Sequence, residues 1–240
     1  MSKFWANLPC VVALYRIKTI NLISKKYMFN REIAEKYVED NVKNINLRKH
    51  MYAVEVCVRA YAKAIKNGSV KVNNTLNEDV SKIDPEEWAL AGLMHDGDWE
   101  SHPDKHPVMV VKWLKENGAS ENIINAIHSH GNVEWAESNG GNEIDGMNRF
   151  IPRKSLLDKV LFAVDEMSGL IVAVSLMRPN KLMDLEPKSV IKKIKDKGFA
   201  KGVNREDLTS SITELGVDMD SHISLMINAL RAISFRLFTE

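Results

Sequence analysis

The sequence predicts an all-α fold, and three observations carry that prediction. Apolar residues recur at helical spacing along most of the chain, capping residues precede the periodic runs, and strand-like alternation is nearly absent. The expected architecture is a helical bundle over residues 28–180, with additional C-terminal helices over 181–240 packed on the same domain.

From Leu47 to Ile65 the apolar positions are Leu47, Met51, Val54, Val58, Tyr61 and Ile65, in alternating steps of four and three. That spacing predicts a helix with one buried face, and it leaves His50 at the edge of the stripe. Asn67-Gly68 ends it, and a polar loop follows. Asp84-Pro85-Glu86-Glu87 reads as a helix start, with a capping Asp, Pro in the first turn and acids where the helix dipole favours them. The helix then runs through nearly unbroken apolar sequence to His95-Asp96 and stops at Gly97.

Pro107–Asn117 is predicted helical, as is Ser120–His130, where Ile123, Ile127 and His130 share one face. Residues 131–152 are rich in Gly and Asn and lack periodicity, so they read as a functional loop or a tolerated surface insertion. Ser155–Met177 is the longest helical pattern and the expected core helix. Asp165 and Glu166 lie in its middle among apolar neighbours, where two adjacent acids need a cationic partner, either a basic side chain or a metal. Three more helices are predicted, over Glu186–Lys197, Asn204–Leu215 and Met219–Leu237.

Residues 1–27 stand apart. Their apolar run, Leu8–Tyr15, is far shorter than the roughly 20 residues a membrane span needs, and no signal-peptide cleavage pattern follows it. The expectation is an upstream extension, with Met28 as the functional start.

Composition narrows the function classes. With 33 basic and 32 acidic residues the formal net charge is +1, so there is no electrostatic footprint for nucleic acid or a membrane surface. Two cysteines, Cys10 and Cys57, lie far apart, which suits a reducing cytoplasmic setting better than a disulfide scaffold. Phosphate-binding glycine loops, nucleophile elbows and cysteine zinc patterns are absent.

The densest chemistry lies in Leu93–Pro107, LMHDGDWESHPDKHP, which holds three histidines and four acidic residues. Imidazole and carboxylate side by side bind a divalent cation readily, because neither holds a proton strongly near neutral pH.

The ordered set His50, His95-Asp96, His106, His130 and Asp165 resembles the HD-domain superfamily of metal-dependent phosphohydrolases, an all-helical family. LMHD at the end of an apolar helix and AVDE inside a long one carry the resemblance, over roughly 48–178. It implies that His50, His95, Asp96 and Asp165 bind a first metal, with Asp96 able to bridge to a second. The stretch HPVMVVKWLKENGASENIINAIHSHG resembles the two-metal branch, and it implies that His106 and His130 hold that second ion.

The activity implied is hydrolysis of a phosphate ester or anhydride, in a nucleotide or similar small phosphorylated metabolite, by metal-bound hydroxide. Asp96 belongs to that catalytic set, and Asp98, His102 and Glu166 are the candidates for proton transfer. Arg178 and Lys188 are the candidate contacts for a substrate phosphate. Histidine and carboxylate donors without thiolate suit one or two ions of Mn, Fe, Co or Ni rather than Mg alone. The alternatives are a di-iron oxygenase of the same superfamily and a non-catalytic metal- or nucleotide-binding regulatory module.

Overall fold

A computed structural model describes residues 29–138, 140–196 and 198–239; the expected extension at 1–27 and its boundary at Met28 lie outside them. The described residues form 11 α-helices and one two-stranded hairpin. They are α1 (Arg31–Asn41), α2 (Ile45–Lys66), α3 (Pro85–Met94), α4 (Val108–Glu116), α5 (Glu121–His128) and α6 (Val133–Ser138). The hairpin β1–β2 (Glu143–Ile144, Met147–Asn148) precedes α7 (Leu156–Leu176), α8 (Pro187–Ile194), α9 (Arg205–Leu215), α10 (Met219–Arg231) and α11 (Ser234–Phe238). The fold is all-α. Among the described residues, no helix is long and apolar enough to cross a membrane.

Local chemistry sets where these helices begin. The Asn44, Asp84, Ser120, Asn204 and Asp218 side chains accept amide hydrogen bonds from the first turns of α2, α3, α5, α9 and α10. Such caps satisfy amides that have no partner inside the helix and typically contribute about 1 kcal/mol. The start of α7 has a full capping box, in which Ser155 and Asp158 satisfy each other's backbone amides.

Helix α7 is the centre of the bundle, with α2, α3, α5, α9 and α10 packed around it. Val160, Leu161, Val164, Met167, Leu170 and Ile171 have essentially no exposed surface. Burying side chains of this size stabilises the fold by about 2 kcal/mol apiece. Helices α2 and α3 cross at Gly92, where an added Cβ would lie 2.8 Å from the Glu55 Cα. Only glycine permits that approach, and it brings the end of α3 to the His50 turn of α2.

The structure departs from expectation in four places. Helix α5 ends at His128 with Ser129 as its C-cap, so His130 lies beyond the helix and its burial comes from tertiary packing. The aperiodic 131–152 segment contains α6 and the hairpin, elements too short to show a period. The predicted helix over Met219–Leu237 is broken at Ala232–Ile233 into α10 and α11. Helix α8 also stops at Ile194, three residues before the predicted end.

Candidate metal centre

Three helices and two connecting segments deliver the candidate ligands to one point. His50 comes from α2, His95 and Asp96 from the end of α3, His106 and His130 from the segments before α4 and after α5, and Asp165 from the middle of α7. The His50 Nε2 lies 2.9 Å from the Asp165 Oδ1 and 3.6 Å from the Asp96 Oδ2. His95 Nε2 lies 3.2 Å from His50 Nε2 and 3.4 Å from both of those carboxylate oxygens. The other Asp96 oxygen, Oδ1, faces His106 Nε2 at 3.5 Å and His130 Nε2 at 3.9 Å, and these two nitrogens are 3.0 Å apart. Asp96 therefore stands between two clusters, one on each of its oxygens.

The far nitrogens of the rings show which atoms point inward. His95 Nδ1 donates to the Gly92 carbonyl at 2.8 Å, His130 Nδ1 donates to the Ile127 carbonyl, and His106 Nδ1 donates to Asp98 Oδ1 at 2.7 Å. Carbonyl and carboxylate oxygens accept, so each Nδ1 is the N–H donor and each ring turns its Nε2, the nitrogen that can give a lone pair to a metal, toward the cluster. Lone pairs and carboxylates facing one another in a buried site repel unless a cation sits among them. The donor set therefore fits a metal ion, and His50, His95, Asp96, His106 and His130 could hold one.

Without an ion the electrostatics divide the centre, with protons drawn to His95 and kept off His130. Burial opposes a charge on His95, yet the carboxylates of Asp96 and Asp165 outweigh it and hold its pKa well above the ordinary imidazole value. Burial also opposes charge on Asp165, and the facing His95 and His50 rings still hold it well below the usual carboxylate range. His130 is pushed down to about 4, first by burial and then by the neighbouring His106 and His95. The carboxylates and His130 are thus in the protonation states a metal requires, while His95 holds a proton between Asp96 and Asp165 that a bound cation would replace.

A cleft of about 490 Å³ opens onto the centre, and Trp99, Arg149, Phe150, Glu166 and Asp207 share its walls with the ligands. Trp99 packs edge-on to His106 at 5.0 Å and Phe150 edge-on to His130 at 6.0 Å. Burial pushes the Glu166 carboxyl up to about 7, with the Asp165 and Asp207 charges adding to the effect.

Other sequence candidates lie elsewhere. Asp98 is buried behind His106, and its second oxygen accepts the Val110 amide at 2.9 Å, so it orients a ring and has no free oxygen for proton transfer. His102 lines a separate hollow with Tyr37 and Trp113, away from the cleft. Arg178 is bound to Asp184 at 3.0 Å and Lys188 to Glu186 at 2.6 Å, both as local surface pairs outside the cleft. The cation that does line the cleft is Arg149, from the segment just after the hairpin, where no periodic pattern marks it.

Comparison with protein-family models, curated proteins and solved structures finds no match.

Proposed function

We propose that this chain is a metal-dependent phosphohydrolase acting on a small phosphorylated substrate in the cytoplasm. The supporting observation is the division of Asp96, whose Oδ2 faces His50 and His95 while its Oδ1 faces His106 and His130. In this reading His50, His95, Asp96 and Asp165 hold a first ion, and His106, His130 and Asp96 a second. Nitrogen and oxygen donors without thiolate favour Mn, Fe, Co or Ni over Mg alone. Bound ions supply two things here: a lowered pKa for water and a positive counter-charge for phosphoryl oxygens.

The chain's own residues do the rest. Arg149, on the wall of the same cleft, adds positive charge toward the phosphoryl group. Glu166 keeps its proton to near neutral pH and stands beside Asp165, where it can protonate a leaving oxygen. Trp99 and Phe150 narrow the water around the outer ligands.

The test is plasma mass spectrometry of the purified chain combined with phosphate release from a panel of nucleotides and simple phosphate esters. The expected result is about two metal equivalents with turnover, both falling in Asp96→Ala. Full turnover in Asp96→Ala overturns the proposal. So does oxygen consumption by the iron-loaded protein without phosphate release, which would instead favour an oxygenase.

A further inference from the structure

A second chamber of about 500 Å³ adjoins the cleft, and the two meet at His50 and Gly169. Its walls differ in kind from the cleft. Val172, Ala173, Leu176, Leu237 and Phe238 line it, from the last turns of α7 and from α11. A volume of this size lies in the range of small-molecule pockets.

Gly169 is the feature that joins the two spaces. It sits inside α7, where glycine costs about 1 kcal/mol relative to alanine. Helix packing does not explain it, because a Cβ there would meet only the His50 Nδ1, at 4.0 Å. That differs from Gly92, whose missing Cβ lets two backbones touch. At Gly169 the missing side chain leaves open space beside a ring whose Nε2 already faces Asp165.

Charge completes the description. Lys49 and Lys181 also line the chamber, and their ammonium groups donate to backbone carbonyls, of Thr239 at 2.9 Å and Leu176 at 3.4 Å. Among the described residues no carboxylate is paired with either, and with Asn46 and His50 they form the polar minority of a lining that is otherwise apolar.

We propose that this chamber receives the leaving group of the phosphorylated substrate, and that this group is an apolar body rather than a ribose. The inference rests on the phosphohydrolase reading for the identity of the other end of the substrate. In that hydrolysis the bond from phosphorus to the alcohol oxygen breaks as one from phosphorus to water oxygen forms, and the alcohol oxygen takes up one proton for the one the attacking water gives up. The apolar alcohol then lies past Gly169, against Ala173 and Phe238. A ribose lying against Val172, Leu176 and Leu237 would face no hydrogen-bond partner there, since the polar side chains of the lining are confined to Asn46, Lys49, His50 and Lys181.

Two phosphonates that cannot be hydrolysed separate the ends of the site. Calorimetry on the full chain loaded with Mn²⁺ compares methylphosphonate, which reaches only the metal centre, with 1-naphthylmethylphosphonate, which also fills the chamber. The naphthyl compound is expected to bind at least about ten-fold tighter, by burial of its rings. Ala173→Phe fills the chamber and removes that advantage while leaving methylphosphonate affinity unchanged. Leu176→Glu, at an exposed position that tolerates the change, reduces it as well. Equal affinity for the two phosphonates in the wild type overturns the chamber and leaves the hydrolase reading standing if phosphate release persists. Displacement of the naphthyl compound by AMP at lower concentration than by 1-naphthyl phosphate overturns the apolar assignment. Tight naphthyl binding without turnover of 1-naphthyl phosphate supports the chamber and overturns the hydrolase reading.

Discussion

Asp98 holds His106 by a 2.7 Å hydrogen bond from Nδ1 to Oδ1, while its other oxygen takes the Val110 amide at the start of α4. One carboxylate thereby ties the outer histidine to the helix that follows it. Asp98→Asn keeps the shape, but its amide can accept from only one of the two donors. The expected outcome is a loss of about 10- to 100-fold in affinity for a second ion, with the first site unchanged. Stepwise metal titration followed by calorimetry measures it.

The crossing of α2 and α3 predicts a different failure. In Gly92→Ala the new Cβ would press on the Glu55 backbone at 2.8–2.9 Å, so the two helices must part. Overpacking of this kind costs about 1–3 kcal/mol. Since α2 carries His50 and α3 ends at His95, the variant should also lose the first ion before the second. Urea denaturation and metal analysis of the same preparation read the two effects.

Acid should destabilise the fold through His222. This ring on α10 is buried, with its Nδ1 against the Tyr61 hydroxyl of α2, and burial pushes its pKa down to about 4. In the unfolded chain the group titrates near 6.5. Between those values the unfolded state binds a proton that the native state refuses, so stability falls as pH drops from about 6.5 to about 4. The loss reaches up to about 3 kcal/mol, and below pH 4 this group adds nothing further. His222→Gln should flatten that part of the profile, as measured by thermal unfolding across the pH range.

Legibility of the site in the sequence tracked the helices. His50 lies beside the stripe of a strongly periodic helix, His95 and Asp96 end a nearly unbroken apolar one, and Asp165 lies inside the longest helical pattern, so helix formation alone placed all four. Their convergence needed only that those helices meet. The roles of Asp98 and Arg149 were not legible, because both lie in irregular segments whose side chains are aimed by long-range contacts. Arg178 and Lys188 illustrate the converse. Their charge suggested a phosphate contact, but a nearby carboxylate occupies each. Gly169 did carry a signal, since an isolated glycine within a long helical pattern calls for a reason.

His130 presents the sharpest case, because it lies past the C-cap of α5 and something else must hold it in place. The holder is Arg153. Its guanidinium donates to the carbonyls of Ser129 at 3.3 Å and Gly131 at 2.8 Å, lies over the Phe162 ring at 3.7 Å, and pairs with Glu214 of α9 at 3.0 Å. The residues on both sides of His130 are thus fastened to α7 and α9. Phe150 closes the other side so tightly that a Cβ on Gly131 would lie 2.2 Å from its ring. Arg153→Met keeps the apolar stem and removes the carbonyl clamp, while Gly131→Ala displaces the ring. Both variants should lose affinity for a second ion by about ten-fold or more and retain the first, because neither touches His50, His95 or Asp165. Equal loss of both ions would show that the two clusters around Asp96 are not held independently.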